Sequence, residues 1–291
     1  MTFDGFELAH IELEEVTLRV RHGGSGPPLL LLHGYPETHM MWALLADDLA
    51  REFTVVAPDL RGYGGSTMPV TAADHETSSK RAMARDAVGL MARLGFDRFA
   101  VAGHDRGGRV AYRLALDHPA AVSRLSVLDI IPTGEVWARA DSRFALGYWH
   151  WGFLAQPNPF PESLISADPD FFFDGIAGLL RNLNPEAVVD YLEAAKKRDV
   201  IHGMCEDYRA GATYDRLLDE HDMKAARTIE CPVQVLWGGK GALGAWYDVL
   251  QIWRCWAGDV VGQAVDCGHF LPEENPADTL AALRGFFAGS T

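Results

Sequence analysis

The chain has 291 residues, 48% of them apolar, enough for one large α/β domain carrying an insertion or for two domains. Its formal charge of -14, with no Lys/Arg cluster to interrupt it, argues against nucleic acid or an anionic membrane as a partner. A protein this acidic that binds a small anion must do so through a local basic pocket.

The first residues show no basic region leading into an apolar run, so no signal peptide is expected. No apolar stretch reaches the roughly 18 residues that a membrane crossing needs. Cys205, Cys231, Cys255 and Cys267 are widely spaced and argue against a disulfide framework, which points to a reducing cytoplasm. No metal-ligand spacing occurs. The glycines of Arg61-Gly62-Tyr63-Gly64-Gly65-Ser66 lack the Lys-Ser/Thr of a phosphate cradle, so neither metal nor cofactor is expected.

In chain order, Phe6 to Leu13 and Val16 to His22 alternate as strands do, and Gly23 to Pro28 form a turn. Leu29 to Leu32 and Phe53 to Ala57 are short apolar runs that read as strands buried on both faces, with helical periodicity over Met40 to Arg51 between them. Lys80 to Leu94 reads as a helix stopped by Gly95, Phe99 to Ala102 as a strand, and Arg109 to Leu116 as a helix. Leu125 to Leu128 is the next strand. From about Pro132 to Lys224 the chain is rich in aromatics and proline, with helical stretches and no clear strand. The rhythm resumes with strands at Val233 to Trp237 and Gly262 to Val265, then a helix over Ala277 to Phe287. The pattern predicts a mostly parallel, doubly wound α/β sheet from 1–131 and 225–291, interrupted by a helical cap over 132–224.

Gly103-His104-Asp105-Arg106-Gly107 lies between a buried strand and a helix, the setting of a nucleophile elbow. Aspartate holds the middle position. A carboxylate suits displacement at an sp3 carbon, forming an alkyl ester that water then hydrolyses. His33-Gly34-Tyr35-Pro36 follows an earlier buried strand, so the backbone N–H groups of Tyr35 and Arg106 are candidates for an oxyanion hole. His269, after the last strand, is placed to be the general base. The loop after Val233 to Trp237 offers no carboxylate, so Asp129 is expected to orient His269, with Asp248 as a second option.

This elbow is shared by epoxide hydrolases, haloalkane dehalogenases and haloacetate dehalogenases of the α/β-hydrolase fold. Here Arg106, rather than tryptophan, follows the aspartate, and Arg109 lies one helical turn on. Two guanidiniums at the start of a packed helix each need a partner, and a substrate carboxylate held bidentately would supply one.

Gly103 to Arg109, Val127-Leu128-Asp129-Ile130-Ile131-Pro132-Thr133 and Tyr148-Trp149-His150-Trp151 resemble the fluoroacetate (haloacetate) dehalogenases. So do Phe153 to Pro157, Cys205 to Gly211 and Gly268-His269-Phe270. The resemblance implies Asp105 as nucleophile, His269 as base and Asp129 as its partner. It further implies Arg106 and Arg109 on the carboxylate of a small anionic haloacid, and His150, Trp151 and Tyr208 as donors to the departing halide. Self-association into a homodimer is left open. The cap departs from the family between Phe173 and Tyr191, where it looks shorter and lacks a tryptophan near Leu179-Leu180. Two rivals remain: an epoxide hydrolase using Tyr148, Tyr191, Tyr208 or Tyr214 as acids, and a non-catalytic ligand receptor on the same scaffold.

Overall fold

The computed structural model describes residues 3–177, 180 and 183–289. The part of the expected cap shortening that falls at 178–179 and 181–182 therefore lies outside the described residues. Eight strands form one sheet in the order β1-β2-β4-β3-β5-β6-β7-β8. They are β1 (Glu7–Glu12), β2 (Thr17–Gly24), β3 (Pro28–Leu32), β4 (Thr54–Pro58), β5 (Phe99–His104), β6 (Val122–Leu128), β7 (Val233–Gly238) and β8 (Val260–Val265). The β1–β2 and β2–β4 pairs are antiparallel and the rest parallel. The apolar runs are central strands because both their faces are covered. On β3, Leu30 and Leu32 enter one core cluster while Leu29 and Leu31 enter the other, on the opposite face of the sheet.

Among the core helices are α1 (Ala43–Leu49), α2 (Lys80–Arg93) and α3 (Asp105–Asp117). Between β6 and β7 come α4 (Thr133–Ala138), α5 (Ser142–Gly147), α6 (Trp149–Leu154), α7 (Phe160–Ala167), α8 (Pro169–Ala177), α9 (Pro185–Ala195), α10 (Arg198–Ala210) and α11 (Arg216–Lys224). A π-helical turn, Gly211–Asp215, joins the last two. After β7 follow α12 (Ala242–Trp246), α13 (Val249–Trp253), α14 (Leu271–Glu274) and α15 (Pro276–Phe287).

Several boundaries differ from the sequence reading; the strand expected from Leu125, for example, begins at Val122. The helix expected from Arg109 begins at Asp105, directly at the end of β5, and the strand expected from Gly262 begins at Val260. Glycines at 107 and 108 hid the helix start, since their low helix propensity is overridden by tight packing. A Cβ on Gly107 would lie 2.4 Å from the carbonyl oxygens of Leu32 and His33. Only glycine lets this helix sit so close to β3.

The register decides where the chemistry emerges. Gly103 pairs with Leu32, His104 with Leu128, Leu128 with Leu236, and Gly238 with Val265. The carboxyl ends of five parallel strands therefore lie along one edge, and the residues that follow them meet there.

Candidate active site

Asp105 follows β5 with a left-handed φ of 41°, and Asp129 follows β6 with φ 53°. Non-glycine residues hold such backbone only under constraint, and it is common where a side chain must be aimed at a site. Asp129 Oδ2 lies 2.5 Å from Nδ1 of His269, and Asp129 Oδ1 accepts the Gly238 N–H at 2.9 Å. The pairing fixes the imidazole so that Nε2 is left as the proton acceptor. Asp248 is engaged elsewhere: it caps α13 by accepting the Gln251 N–H at 3.1 Å.

The Tyr35 N–H donates to Asp105 Oδ2 at 3.2 Å. Arg106 is the second residue of α3, where the backbone N–H has no carbonyl four residues back within the helix. The Tyr35 N–H thus lies beside the Asp105 carboxyl, and the Arg106 N–H is that of the next residue in the chain. Burial by itself would push Asp105 up, but the charges of His269, Arg109, His104 and Arg106 outweigh it and hold the carboxyl well below the usual carboxylate range. The side chain is ionised at neutral pH.

Asp105 and His269 open on a cavity of about 560 Å3 whose wall includes Tyr35, His150, Trp151 and Tyr208. His150 stacks on Tyr35 and meets Tyr208 edge to face, and Tyr208 meets Trp151 in the same way. Among the described residues, no protein acceptor engages the Trp151 N–H, the Tyr208 O–H or either ring nitrogen of His150. Burial pulls His150 down to about 4; Asp105 opposes this, while His269 and Arg106 add to it. Its imidazole is neutral at pH 7. A larger surface groove, about 790 Å3, runs along β8 and α15 and contains none of these groups.

The arginines sit differently from the sequence expectation. Both are buried and neither lines the cavity. Arg106 has a protein partner: Asp207 of α10 takes Nε and Nη2 at 2.8 and 2.7 Å, and the Asp207 carbonyl takes Nη2 at 2.8 Å. Arg109 donates from Nη1 to the Ile131 carbonyl at 3.0 Å and to Thr133 Oγ1 at 3.2 Å. The Arg106 guanidinium lies 4.2 Å from the Tyr208 ring centre, and that of Arg109 lies 4.6 Å from the Trp151 ring centre. Among the described residues, no acceptor reaches the buried Arg106 Nη1 or Arg109 Nε. A substrate carboxylate is thus not needed to make the burial of Arg106 tolerable, but among the described residues Arg106 keeps Nη1, and Arg109 keeps Nε and Nη2, without an acceptor.

Asp207 was not singled out from the sequence. A buried arginine calls for a carboxylate, yet the chain holds 40 acidic residues and no local spacing selects this one, 101 positions away. His104 escaped notice for the same reason. Its Nε2 lies 2.9 Å from the His269 carbonyl and its Nδ1 2.9 Å from Glu37, contacts that only the tertiary fold creates. Of the four tyrosines considered as acids, Tyr148 and Tyr208 reach the cavity, whereas Tyr191 donates to Glu273 in a buried contact.

The model of the α/β hydrolase fold matches residues 27–276. A fluoroacetate dehalogenase from a Burkholderia species is 45% identical, covering 98% of this chain and 95% of that protein. A soluble epoxide hydrolase from a Corynebacterium species is 37% identical, covering 91% of each. A solved structure from Nostoc sp PCC 7120, assigned to the α/β hydrolases, superimposes with a TM-score of 0.96 at 48% identity, covering 99% of this chain and 100% of that one. The chain belongs to the α/β-hydrolase superfamily and, within it, to the haloacetate dehalogenase family. It is an enzyme of the hydrolase class. No helix among the described residues is long and apolar enough to cross a membrane.

Proposed function

We propose that the protein hydrolyses the carbon–halogen bond of a short 2-haloacid, such as fluoroacetate or chloroacetate, to give the 2-hydroxy acid and halide. One Asp105 carboxylate oxygen attacks the halogen-bearing carbon, and the halide leaves with the bonding pair. His150, Trp151 and Tyr208 donate hydrogen bonds to it as it goes. His269, oriented by Asp129, then takes a proton from water, and the hydroxide adds to the carbonyl carbon of the Asp105 ester. The Tyr35 and Arg106 N–H groups stabilise the oxyanion. Collapse breaks the ester C–O bond, releases the hydroxy acid and restores the carboxylate, and the proton leaves from His269. Arg106 and Arg109 hold the substrate carboxylate through their free donors.

The observation that carries this reading is an ionised elbow aspartate opening on a cavity with three unengaged ring donors, above two buried arginines. His269→Ala stops the second step, so treatment with chloroacetate should leave a carboxymethyl group on a peptide containing Asp105, detected by mass spectrometry. A folded variant that binds chloroacetate and leaves Asp105 unmodified refutes the mechanism.

Epoxide hydrolysis is the second reading, favoured by Tyr148 and Tyr208 on the cavity wall and by the similarity to the Corynebacterium enzyme. The buried arginines have no evident task in it. Assaying halide release from haloacetates beside ring opening of styrene oxide separates the two.

A further inference from the structure

The segment between β6 and β7 contributes several buried carboxylates, and on one of them four donors converge. Asp207, on α10 and fully buried, accepts from Nε and Nη2 of Arg106, from the Tyr63 hydroxyl at 2.7 Å and from the Lys80 ammonium. The three partner residues all lie outside that segment: Tyr63 in a loop, Lys80 on α2 and Arg106 on α3. Tyr208, next in sequence to Asp207, packs its ring on the same guanidinium.

Arg106 is thereby fixed on all sides but one. Its Nε and Nη2 edge faces Asp207, and the Tyr208 ring lies against its plane. Gly211 closes the far side at the start of the π-helical turn. A Cβ there would stand 3.0 Å from Nη2 and 3.5 Å from Nη1. The Gly211 carbonyl is in turn held by the Trp137 indole N–H at 3.1 Å. Among the described residues, only Nη1 of Arg106 is left without an acceptor. A π-helical turn costs helix regularity and is often found where a side chain or ligand needs the room.

The charge balance leads to the same residue. Arg106, Arg109 and Lys80 are three buried cations in one region. Burial, with the Arg106 charge adding to it, pulls the Lys80 ammonium well below its ordinary range. Asp105 must stay free to attack carbon, so it cannot be the lasting partner of any of them. Asp215, also buried, accepts the Lys80 backbone N–H at 2.9 Å, whereas Asp207 bonds the charged groups of Lys80 and Arg106 themselves.

We propose that Asp207 is a positioning residue: it engages the fork of Arg106 so that the guanidinium presents a single edge, Nη1, to the substrate carboxylate. The clamp then consists of the Nη1 end of Arg106 and the unengaged Nε–Nη2 edge of Arg109, so of the two only Arg109 can take the carboxylate with two parallel bonds. The cap, through the same carboxylate, sets the anion site and the neighbouring Tyr208 together. This rests on the carboxylate-binding role proposed above for the two arginines.

The test uses acetate, which carries the carboxylate without the halogen, as a competitive inhibitor of chloroacetate turnover. In Asp207→Asn, the acetate inhibition constant and the chloroacetate KM should rise together by about tenfold or more, with kcat changing much less. A merely structural role would lower the active fraction, hence the apparent kcat, and leave both binding constants alone. Such an outcome in a variant that melts cooperatively overturns the proposal. Should Asp207→Asn fail to fold, Gly211→Ala decides. It removes no charge but crowds Nη2, and should raise both constants; parent values overturn the fixed-edge geometry. Arg106→Met separates this inference from the reading beneath it. If Arg106→Met leaves acetate inhibition unchanged, the carboxylate clamp itself fails. If Arg106→Met weakens acetate and Asp207→Asn does not, the clamp stands and the positioning role of Asp207 falls.

Discussion

Arg109→Met is the sharpest test of anion recognition. The side chain is buried, anchored by the Ile131 carbonyl and Thr133, and packed on Trp151, with Nε left without an acceptor. Methionine keeps part of the volume and removes every donor. Losing a charge-assisted contact to a buried anion costs about 2–5 kcal/mol of transition-state binding. That corresponds to roughly 30-fold up to several thousand-fold in kcat/KM for chloroacetate. The substitution also removes one of the charges that hold the Asp105 carboxyl down, so the acidic limb of the pH–kcat/KM profile should move to higher pH. Leaving the Ile131 carbonyl without its donor should cost about 1–3 kcal/mol of stability, and a thermal melt monitors this separately. Halide release measured under kcat/KM conditions across pH reads both effects. A folded Arg109→Met that turns over chloroacetate as well as the parent, with an unmoved acidic limb, refutes the clamp.

Two further outcomes follow from the same geometry. Tyr208→Phe removes a donor and keeps the ring on Arg106, so single-turnover rates should fall by about 10²–10³-fold for fluoroacetate and much less for bromoacetate, because fluoride leaves poorly and accepts hydrogen bonds strongly; equal losses would assign the residue to packing. The net charge of -14 repels an anionic substrate at long range, so kcat/KM for chloroacetate should rise, by no more than about threefold, as salt goes from roughly 0.01 to 0.2 M with kcat flat; a fall would mean that the basic pocket governs the approach.

The parts of the fold readable from sequence were those with short-range causes. Leu29 to Leu32 could be recognised as a central strand because burial on both faces demands an unbroken apolar run. The elbow was readable because a sharp strand-to-helix turn needs small residues on either side of Asp105. His269 and Asp129 were assigned from their places after strands, and the register brings them to 2.5 Å of each other. The start of α3 was not readable, since Gly107 and Gly108 are there for close approach to β3 and against helix propensity. The partner of Arg106 was not readable either. The sequence showed that two guanidiniums needed satisfying, but whether by substrate, by carbonyls or by a cap carboxylate depends on how α10 lies over α3.

The two ends of the proposed substrate meet different kinds of donor, and the difference has a consequence for turnover. The carboxylate is assigned to guanidiniums, whose charge is permanent. The halide is assigned to an indole, a phenol and an imidazole that burial keeps neutral, His150 being pulled down to about 4. Neutral dipoles aimed at a developing anion stabilise it during bond breaking, where the site is dry and the charge is concentrated. They hold a finished halide less tightly than a buried cation would, because that cation would then face a full ion pair to be broken before release. Under the proposed mechanism, an acidic protein has to expel one anion while another stays esterified to Asp105, and this division serves that order of events. Arg106 and Arg109 lie against the rings of Tyr208 and Trp151, 4.2 and 4.6 Å from the ring centres, so their charges act on the halide through those neutral donors rather than by direct contact.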